Sequence, residues 1–251
     1  MKRIGILGAM PEEINGIVSL LKDKTEVVKG MRTYYLGTIN EVEVVVVFSR
    51  WGKVASATTV THLNVEFGIT QLFFTGVAGA INPTLNIGDI VIANSLVQHD
   101  LDARPIMDRF EIPLLGKTML YPPKEILDSA VDNIGELVNA KTLIHLLSQK
   151  QQEIFSLLDL KMVVGQIASG DQFFASNGDK EKLAGILPEV LCVEMEGAAV
   201  AQVCFEYNIP YVIIRTISDN ANDNSVVDFK EFVSQVASKF GVEIIRNLIK
   251  K

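Results

Sequence analysis

Four carboxylates, Glu12, Glu194, Glu196 and Asp219, fall at the ends of predicted strands. Their position makes them candidates, because ligands of an open α/β sheet bind in the crevice outside the carboxyl ends of its strands. A carboxyl group there can give or take a proton when burial or a partner moves its pKa toward the working pH. Each also has a plain structural explanation. Glu12 and Glu13 follow Pro11, a residue favoured at the first helical position, where acids complement the helix dipole. Glu196 opens a helix in the same way. Asp219 lies in the turn-forming triplet Ser218-Asp219-Asn220, and Phe173 and Phe174 are of a type that is ordinarily core. Singly, none of these outweighs its structural explanation; their joint occurrence does.

Other chemistries lack their motifs. Gly5-Ile6-Leu7-Gly8 ends the first predicted strand, but the G-x-G-x-x-G spacing of dinucleotide binding is absent, as is any P-loop lysine pattern. His62, His99 and His145 are scattered, with no H-E-x-x-H, no paired cysteine ligands and no G-x-S-x-G elbow. No metal and no cofactor are expected. Cys192 and Cys204 occupy apolar surroundings and should be buried, and the scarcity of cysteine fits a reducing cytoplasm.

The elements that must position the carboxylates follow from periodicity. Apolar, β-branched runs at 4–7, 42–48, 72–75, 90–93, 162–168, 191–193 and 211–217 end near Gly, Ser, Asn or Asp and read as strands. Helical patterns fall between them, at 11–21, 54–67, 124–137, 152–158, 178–187 and 197–207. The last helix is the clearest, with Phe229, Phe232, Val233, Val236, Ala237, Phe240, Ile244 and Leu248 recurring at three- and four-residue steps. Strands 34–39 and 43–48, joined through Asn40 and Glu41, form a hairpin, so the mainly parallel sheet is mixed. The expected fold is a single-domain three-layer α/β/α sandwich over 1–251. The segment 99–123 carries four prolines and no sustained period, and reads as a functional or interface loop.

Composition bounds the partners. A chain of 251 residues is long enough for a sizeable core, and with 48% apolar and 21% charged residues it is not disordered. No apolar run is long enough to span a bilayer, and residues 11–13 interrupt any leader-like pattern at the start. The net charge of −7 offers no field to gather nucleic acid or an anionic membrane surface. A soluble, cytoplasmic protein acting on a small molecule is expected.

Seven motifs in order, Gly5-Ile6-Leu7-Gly8-Ala9-Met10-Pro11-Glu12-Glu13, Gly52-Lys53-Val54-Ala55, Thr75-Gly76-Val77-Ala78-Gly79-Ala80, Gly88-Asp89-Ile90-Val91, Ser169-Gly170-Asp171-Gln172-Phe173, Val193-Glu194-Met195-Glu196-Gly197-Ala198-Ala199 and Arg215-Thr216-Ile217-Ser218-Asp219, cover nearly the whole chain. Together they resemble the bacterial 5′-methylthioadenosine/S-adenosylhomocysteine nucleosidases, of the nucleoside phosphorylase type I family. The resemblance implies a nucleoside phosphorylase-like fold and hydrolysis of the N-glycosidic bond, releasing adenine in methionine salvage and in removal of methylation by-products. It implies that Glu12 activates water, Glu196 holds the ribose hydroxyls and Asp219 protonates N7 of adenine. Ser218 would orient Asp219, and Arg215 would fix Glu12 and its water. Phe173 would stack on the purine, the Phe174 backbone would read its edge, Met195 would pack on the ribose, and the amides of Val77, Ala78 and Gly79 would serve near the water. Ile106 and Pro113 would form the 5′ subsite by reaching in from the other subunit of a homodimer. The chemistry is consistent: a protonated adenine leaves more easily, and anionic carboxylates stabilise the oxocarbenium-like sugar.

There are departures. Val77 stands where T-G-S-A-G-G has serine, Ala80 replaces the final glycine, and after His99-Asp100-Leu101-Asp102 the loop continues Ala103-Arg104-Pro105-Ile106 without an aromatic-rich stretch. A phosphorylase is the nearest competitor, but its G-D-P-x-R is here Gly8-Ala9-Met10-Pro11-Glu12, and a carboxylate near the phosphate position repels phosphate. A non-catalytic nucleoside-binding protein is the third reading; binding alone needs no acid on each side of the sugar.

Overall fold

The computed structural model describes residues 2–157 and 159–250. In chain order the elements are β1 (Arg3–Gly8), α1 (Pro11–Val18), β2 (Lys22–Lys29), β3 (Arg32–Ile39), β4 (Val42–Phe48), α2 (Lys53–Phe67), β5 (Gln71–Ala80), β6 (Ile90–Gln98) and α3 (Lys124–Asn139). They continue with α4 (Thr142–His145), α5 (Gln149–Ile154), β7 (Met162–Ser169), α6 (Asn177–Ile186), β8 (Val190–Glu194), α7 (Gly197–Glu206), β9 (Tyr211–Asp219), α8 (Ser225–Phe232) and α9 (Ser238–Leu248).

The strands form one mixed sheet in the order β2-β3-β4-β1-β5-β8-β7-β6-β9. β5 also pairs with β9 in parallel along most of its length, so β5, β8, β7, β6 and β9 close a ring of pairings. Helices α1, α3 and α9 pack together as one layer, and α2 packs with α7 as another. The central strands are buried on both faces, which is why they read as continuous apolar runs. In β4, residues 44–47 are all valine and all inaccessible or nearly so. β9 is buried at every position, yet it carries Arg215, Thr216, Ser218 and Asp219. Buried polar groups must be partnered, so this strand concentrates the polar contacts of the molecule on the site.

The hairpin expectation holds: β3 and β4 are antiparallel, and Asn40 and Glu41 both take positive φ, 49° and 67°, as a two-residue turn between right-twisted strands requires. β2 was not expected. Its sequence KDKTEVVK has no apolar alternation because it is an exposed edge strand, paired only to β3. The first helix stops at Val18 rather than at residue 21. The helix expected at 152–158 is the earlier and shorter α5, and residue 158 lies outside the described residues. The C-terminal helix begins earlier, at Ser225, and contains a π-helical turn over Val233–Ala237 between α8 and α9. Apart from two isolated bridges, residues 99–123 form no strand or helix. Cys192 and Cys204 are buried and free. Among the described residues no helix is long and apolar enough to cross a membrane.

Candidate active site

Four strand ends and a helix start meet at one pocket. β1 and the start of α1 bring Ala9, Met10 and Glu13; β5 brings Val77, Ala78 and Gly79; β8 and the turn after it bring Glu194, Met195 and Glu196; β9 brings Ser218 and Asp219. Phe173 and Phe174 complete the wall from the loop after β7.

The acid from α1 is Glu13, not Glu12. Met10, Glu13, Ile14 and Ile17 share one helix face and are buried, whereas Glu12 is exposed. The Glu13 carboxylate accepts from the amides of Ala9 (2.5 Å) and Met10 (3.2 Å) through Oε2, and from Val77 (3.2 Å) through Oε1. These amides use three of the roughly four acceptor directions of a carboxylate, leaving one toward the pocket. The Val77 contact is made by backbone, so the missing serine hydroxyl does not unseat this group. Burial pushes the Glu13 pKa up, against the opposing charge of Arg215 and the three amides.

Glu196 is buried at the start of α7, and its Oε1 accepts from the Gly52 amide at 2.8 Å. Burial, with the like charges of Glu194 and Glu13, pushes its pKa up to about 8. Asp219 is also buried: Ser218 Oγ donates to its Oδ2 at 2.8 Å and the Ala221 amide to its Oδ1 at 2.9 Å. Burial raises its pKa despite these donors. Gly79 is required beside it, since a Cβ there would come within 2.9 Å of Asp219 Oδ1.

Arg215 does not line the pocket and makes no hydrogen bond to Glu12. Its Nη2 donates to Glu194 Oε2 at 2.7 Å, and its guanidinium lies 3.9 Å from the Phe74 ring centroid. Glu194 also accepts from Ser169 Oγ and from the amides of Glu196 (3.1 Å) and Gly197 (2.8 Å). Arg215 and Glu194 thus form a buried ion pair in which Glu194 reaches the pocket and Arg215 lies behind it, with Arg215 Nε left without a hydrogen-bond partner among the described residues. Four carboxyl groups and, among the described residues, no Lys, Arg or His line the pocket, so each one that ionises favours cationic over anionic reacting groups. Among the described residues no group of His, Cys, Asp and Glu is arranged to hold a metal ion.

Phe173 is 40% exposed and meets Phe229 edge-on at 5.6 Å, and Trp51 meets Phe229 at 6.3 Å. Phe174 is buried, edge-on to His99 at 5.3 Å. Of the residues expected from sequence, Asp219, Glu196, Ser218, Val77, Ala78, Gly79, Phe173, Phe174 and Met195 converge here. Glu12 lines a separate outer groove. Ile106 and Pro113 are exposed on the 99–123 loop and are not among the residues lining this chain's pocket. Trp51 and Phe229 were missed because aromatic side chains in a turn or on a helix face carry no motif, whereas Met10 and Glu13 stood in the Gly5–Glu13 motif without being given a site role.

The phosphorylase superfamily model matches residues 3–250. This chain belongs to that superfamily. Within it the chain belongs with the nucleosidase hydrolases. It is 35% identical over 251 residues to the aminodeoxyfutalosine nucleosidase of Campylobacter jejuni, covering 99% of this chain and 100% of that one. It is 34% identical over 235 residues to the 5′-methylthioadenosine/S-adenosylhomocysteine nucleosidase of Staphylococcus epidermidis, covering 93% of each. Its fold matches that of the Streptococcus pneumoniae MTA/SAH nucleosidase in complex with 8-aminoadenine, with a TM-score of 0.84 at 34% identity over 100% of this chain and 99% of that one. The futalosine hydrolase of Helicobacter pylori superposes with a TM-score of 0.83 at 32% identity, over 99% and 97% of the two chains.

Proposed function

We propose that the protein hydrolyses the N-glycosidic bond of 5′-thio-substituted adenosines, 5′-methylthioadenosine and S-adenosylhomocysteine, releasing adenine. The observation that carries this reading is the convergence of Glu13, Glu196 and Asp219 on one pocket lined by no cation. In this reading Glu13 takes a proton from the attacking water, since it is amide-anchored with one acceptor direction left. Asp219, whose raised pKa keeps it protonated to higher pH, donates to N7 while Ser218 fixes its orientation. Glu196 accepts from the ribose hydroxyls and Phe173 stacks on the purine. The carboxylates stabilise the oxocarbenium-like sugar as the bond breaks. A phosphorylase needs a cationic or amide-rich phosphate cradle, whereas here the amides of Ala9, Met10 and Val77 are already spent on Glu13. A merely nucleoside-binding role leaves two opposed acids of raised pKa without a use.

The test is adenine release from 5′-methylthioadenosine with no added phosphate or metal. Free 5-methylthioribose is expected; turnover that requires phosphate and yields a sugar 1-phosphate overturns the reading. Aminodeoxyfutalosine is the second candidate substrate, favoured by the full-length relatives that carry that activity in their names, at 35% and 36% identity. Comparing kcat/KM for the three nucleosides decides between them. The functional unit in this reading is a cytoplasmic homodimer, with the partner's 99–123 loop bordering the 5′ end of the substrate. Ile106 is 87% and Leu114 91% exposed in a single chain, which is the apolar surface such a contact would cover.

A further inference from the structure

The peptide group between Asn220 and Ala221 meets a cation on one side and Asp219 on the other. Its N–H, the Ala221 amide, donates to Asp219 Oδ1 at 2.9 Å, and its carbonyl, that of Asn220, accepts from Lys180 Nζ at 2.8 Å. A trans peptide is planar, with its N–H and C=O pointing in opposite directions, so both hydrogen bonds run through one rigid unit. Holding the carbonyl therefore aims the amide. Ala221 takes a φ of +49°, in the left-handed region that a residue with a Cβ rarely adopts, and its side chain is buried. Such a backbone persists only where its surroundings over-determine it. Two contacts from α6 reach this turn: the Lys180 bond, and one from Asn177 Nδ2 to Asp223 Oδ2 at 2.8 Å.

Lys180 is half-buried, lies outside the pocket lining and forms no salt bridge among the described residues, so no nearer carboxylate cancels its charge. Burial lowers its pKa, and the facing charge of Asp219 opposes that shift. Around Asp219, burial is the strongest influence and raises its pKa; the Ser218 hydroxyl, the Ala221 amide and the Ser225 hydroxyl lower it, and the like charge of Asp228 on α8 raises it. Across the pocket stand Glu13, Glu194 and Glu196. When Asp219 gives up its proton, its O–H bond breaks, a bond from N7 to that proton forms, and the electrons of the C1′–N9 bond pass to the base. Asp219 is then a carboxylate among other acids. A cation on the Asn220 carbonyl polarises the peptide and strengthens the bond from its N–H to Oδ1, most of all when Oδ1 is charged. We propose that Lys180 is a positioning residue for the general acid: it clamps the Asn220–Ala221 peptide onto Asp219 and steadies the carboxylate left behind when the proton passes to the purine. This inference rests on the nucleosidase reading above and deepens it.

The experiment labels the aspartate carboxyls of the full-length protein with ¹³C and assigns the Asp219 resonance by its loss in D219N, so that NMR follows the titration of this group alone. In K180M the midpoint should rise by about half to one pH unit, because the carboxylate loses a nearby cation; in K180R, which keeps both charge and donors, it should stay at the wild-type value. On the preferred of the three candidate nucleosides, K180M should lower kcat by about tenfold with a smaller change in KM, and K180R should restore it. N177A is the control for anchoring of the turn alone: it removes a contact but no charge, and should leave the midpoint in place. A midpoint unmoved in K180M, a shift equally large in N177A, or a K180R variant as impaired as K180M overturns the inference while leaving the nucleosidase reading intact. If the wild-type protein cleaves none of 5′-methylthioadenosine, S-adenosylhomocysteine and aminodeoxyfutalosine, the nucleosidase reading fails and takes this inference with it.

Discussion

Glu12 and Glu13 differ by one helical step, about 100° of rotation, and that step separates a solvent-facing acid from one buried against three amides. Glu13→Gln should lower kcat by about 10² to 10⁴, the usual range for lost acid–base catalysis, and should cost far more than Glu12→Gln under the same assay. The same range is expected for Asp219→Asn with binding of adenine nucleosides retained, measured as kcat against Kd. The position of Glu13 was legible in principle: Met10, Glu13, Ile14 and Ile17 follow the i, i+3, i+4, i+7 rule, so the acid lies on the apolar stripe. A motif of adjacent acids hides this, because residue type alone cannot tell which one the helix turns inward.

Ionisation at these positions also sets a pH dependence. Burial and the like charge of Glu194 push the Glu196 pKa from an ordinary 4.5 up to about 8 in the folded chain. A raised carboxyl pKa means that the folded state binds the proton more tightly between those two values. The stability it brings is complete below the lower value and is lost as pH rises through the upper one. Glu13 and Asp219, also raised, contribute with the same sign. Thermal melts of the ligand-free protein should therefore fall from mildly acidic to alkaline pH, and Glu196→Gln should flatten the fall and melt higher than wild type on the alkaline side. A wild-type melting temperature that rises through this interval contradicts the assignment.

At the scale of elements, the turn before α2 is what places Glu196. Gly52 has φ of +94°, and a Cβ there would meet Asp171 Oδ1 at 2.9 Å. Asp171 Oδ1 accepts from the Lys53 amide at 2.8 Å, the Asp171 amide donates to Asp100 Oδ2 at 2.9 Å, and Lys53 Nζ closes the loop on Asp100 Oδ1 at 2.6 Å. This cluster ties three loops together so that the Gly52 amide points at Glu196. Asp171→Ala should raise KM for methylthioadenosine by up to about tenfold, the worth of one well-made hydrogen bond, with a smaller change in kcat. Buried central strands and crossover helices were readable from apolar runs because their environment is uniform. Edge strand β2 was not, since Lys22, Asp23, Lys24 and Glu26 face water and leave no period. The π-helical turn in the last helix was equally hidden, because it preserves the apolar stripe of Phe232, Val233, Val236, Ala237 and Phe240.

For the whole molecule, the buried Arg215–Glu194 pair couples stability to the site. Arg215→Met leaves Glu194 buried without its cation, a change that should cost about 3 to 5 kcal/mol in urea unfolding. The two ends of the pocket should also discriminate differently. At the base, unpaired buried polar groups penalise a wrong purine by about 10⁴ or more, so 5′-methylthioinosine should hardly be cleaved. Along the apolar stem of the 5′ arm, each methylene is worth about 1 to 3 kcal/mol, so several thio-substituted adenosines should be accepted. The exposed Ile106 and Leu114 predict self-association, which sedimentation velocity will show as a dimer at micromolar concentration; a fully active monomer contradicts it.

In the proposed reaction water is the nucleophile, activated by Glu13 to attack a sugar whose base is protonated by Asp219. Turnover of 5′-methylthioadenosine in ¹⁸O-labelled water, with phosphate also present, tests this most directly. Mass spectrometry should find the label in the released methylthioribose and none in adenine. An unlabelled sugar, or a sugar 1-phosphate as the main product, would contradict the account.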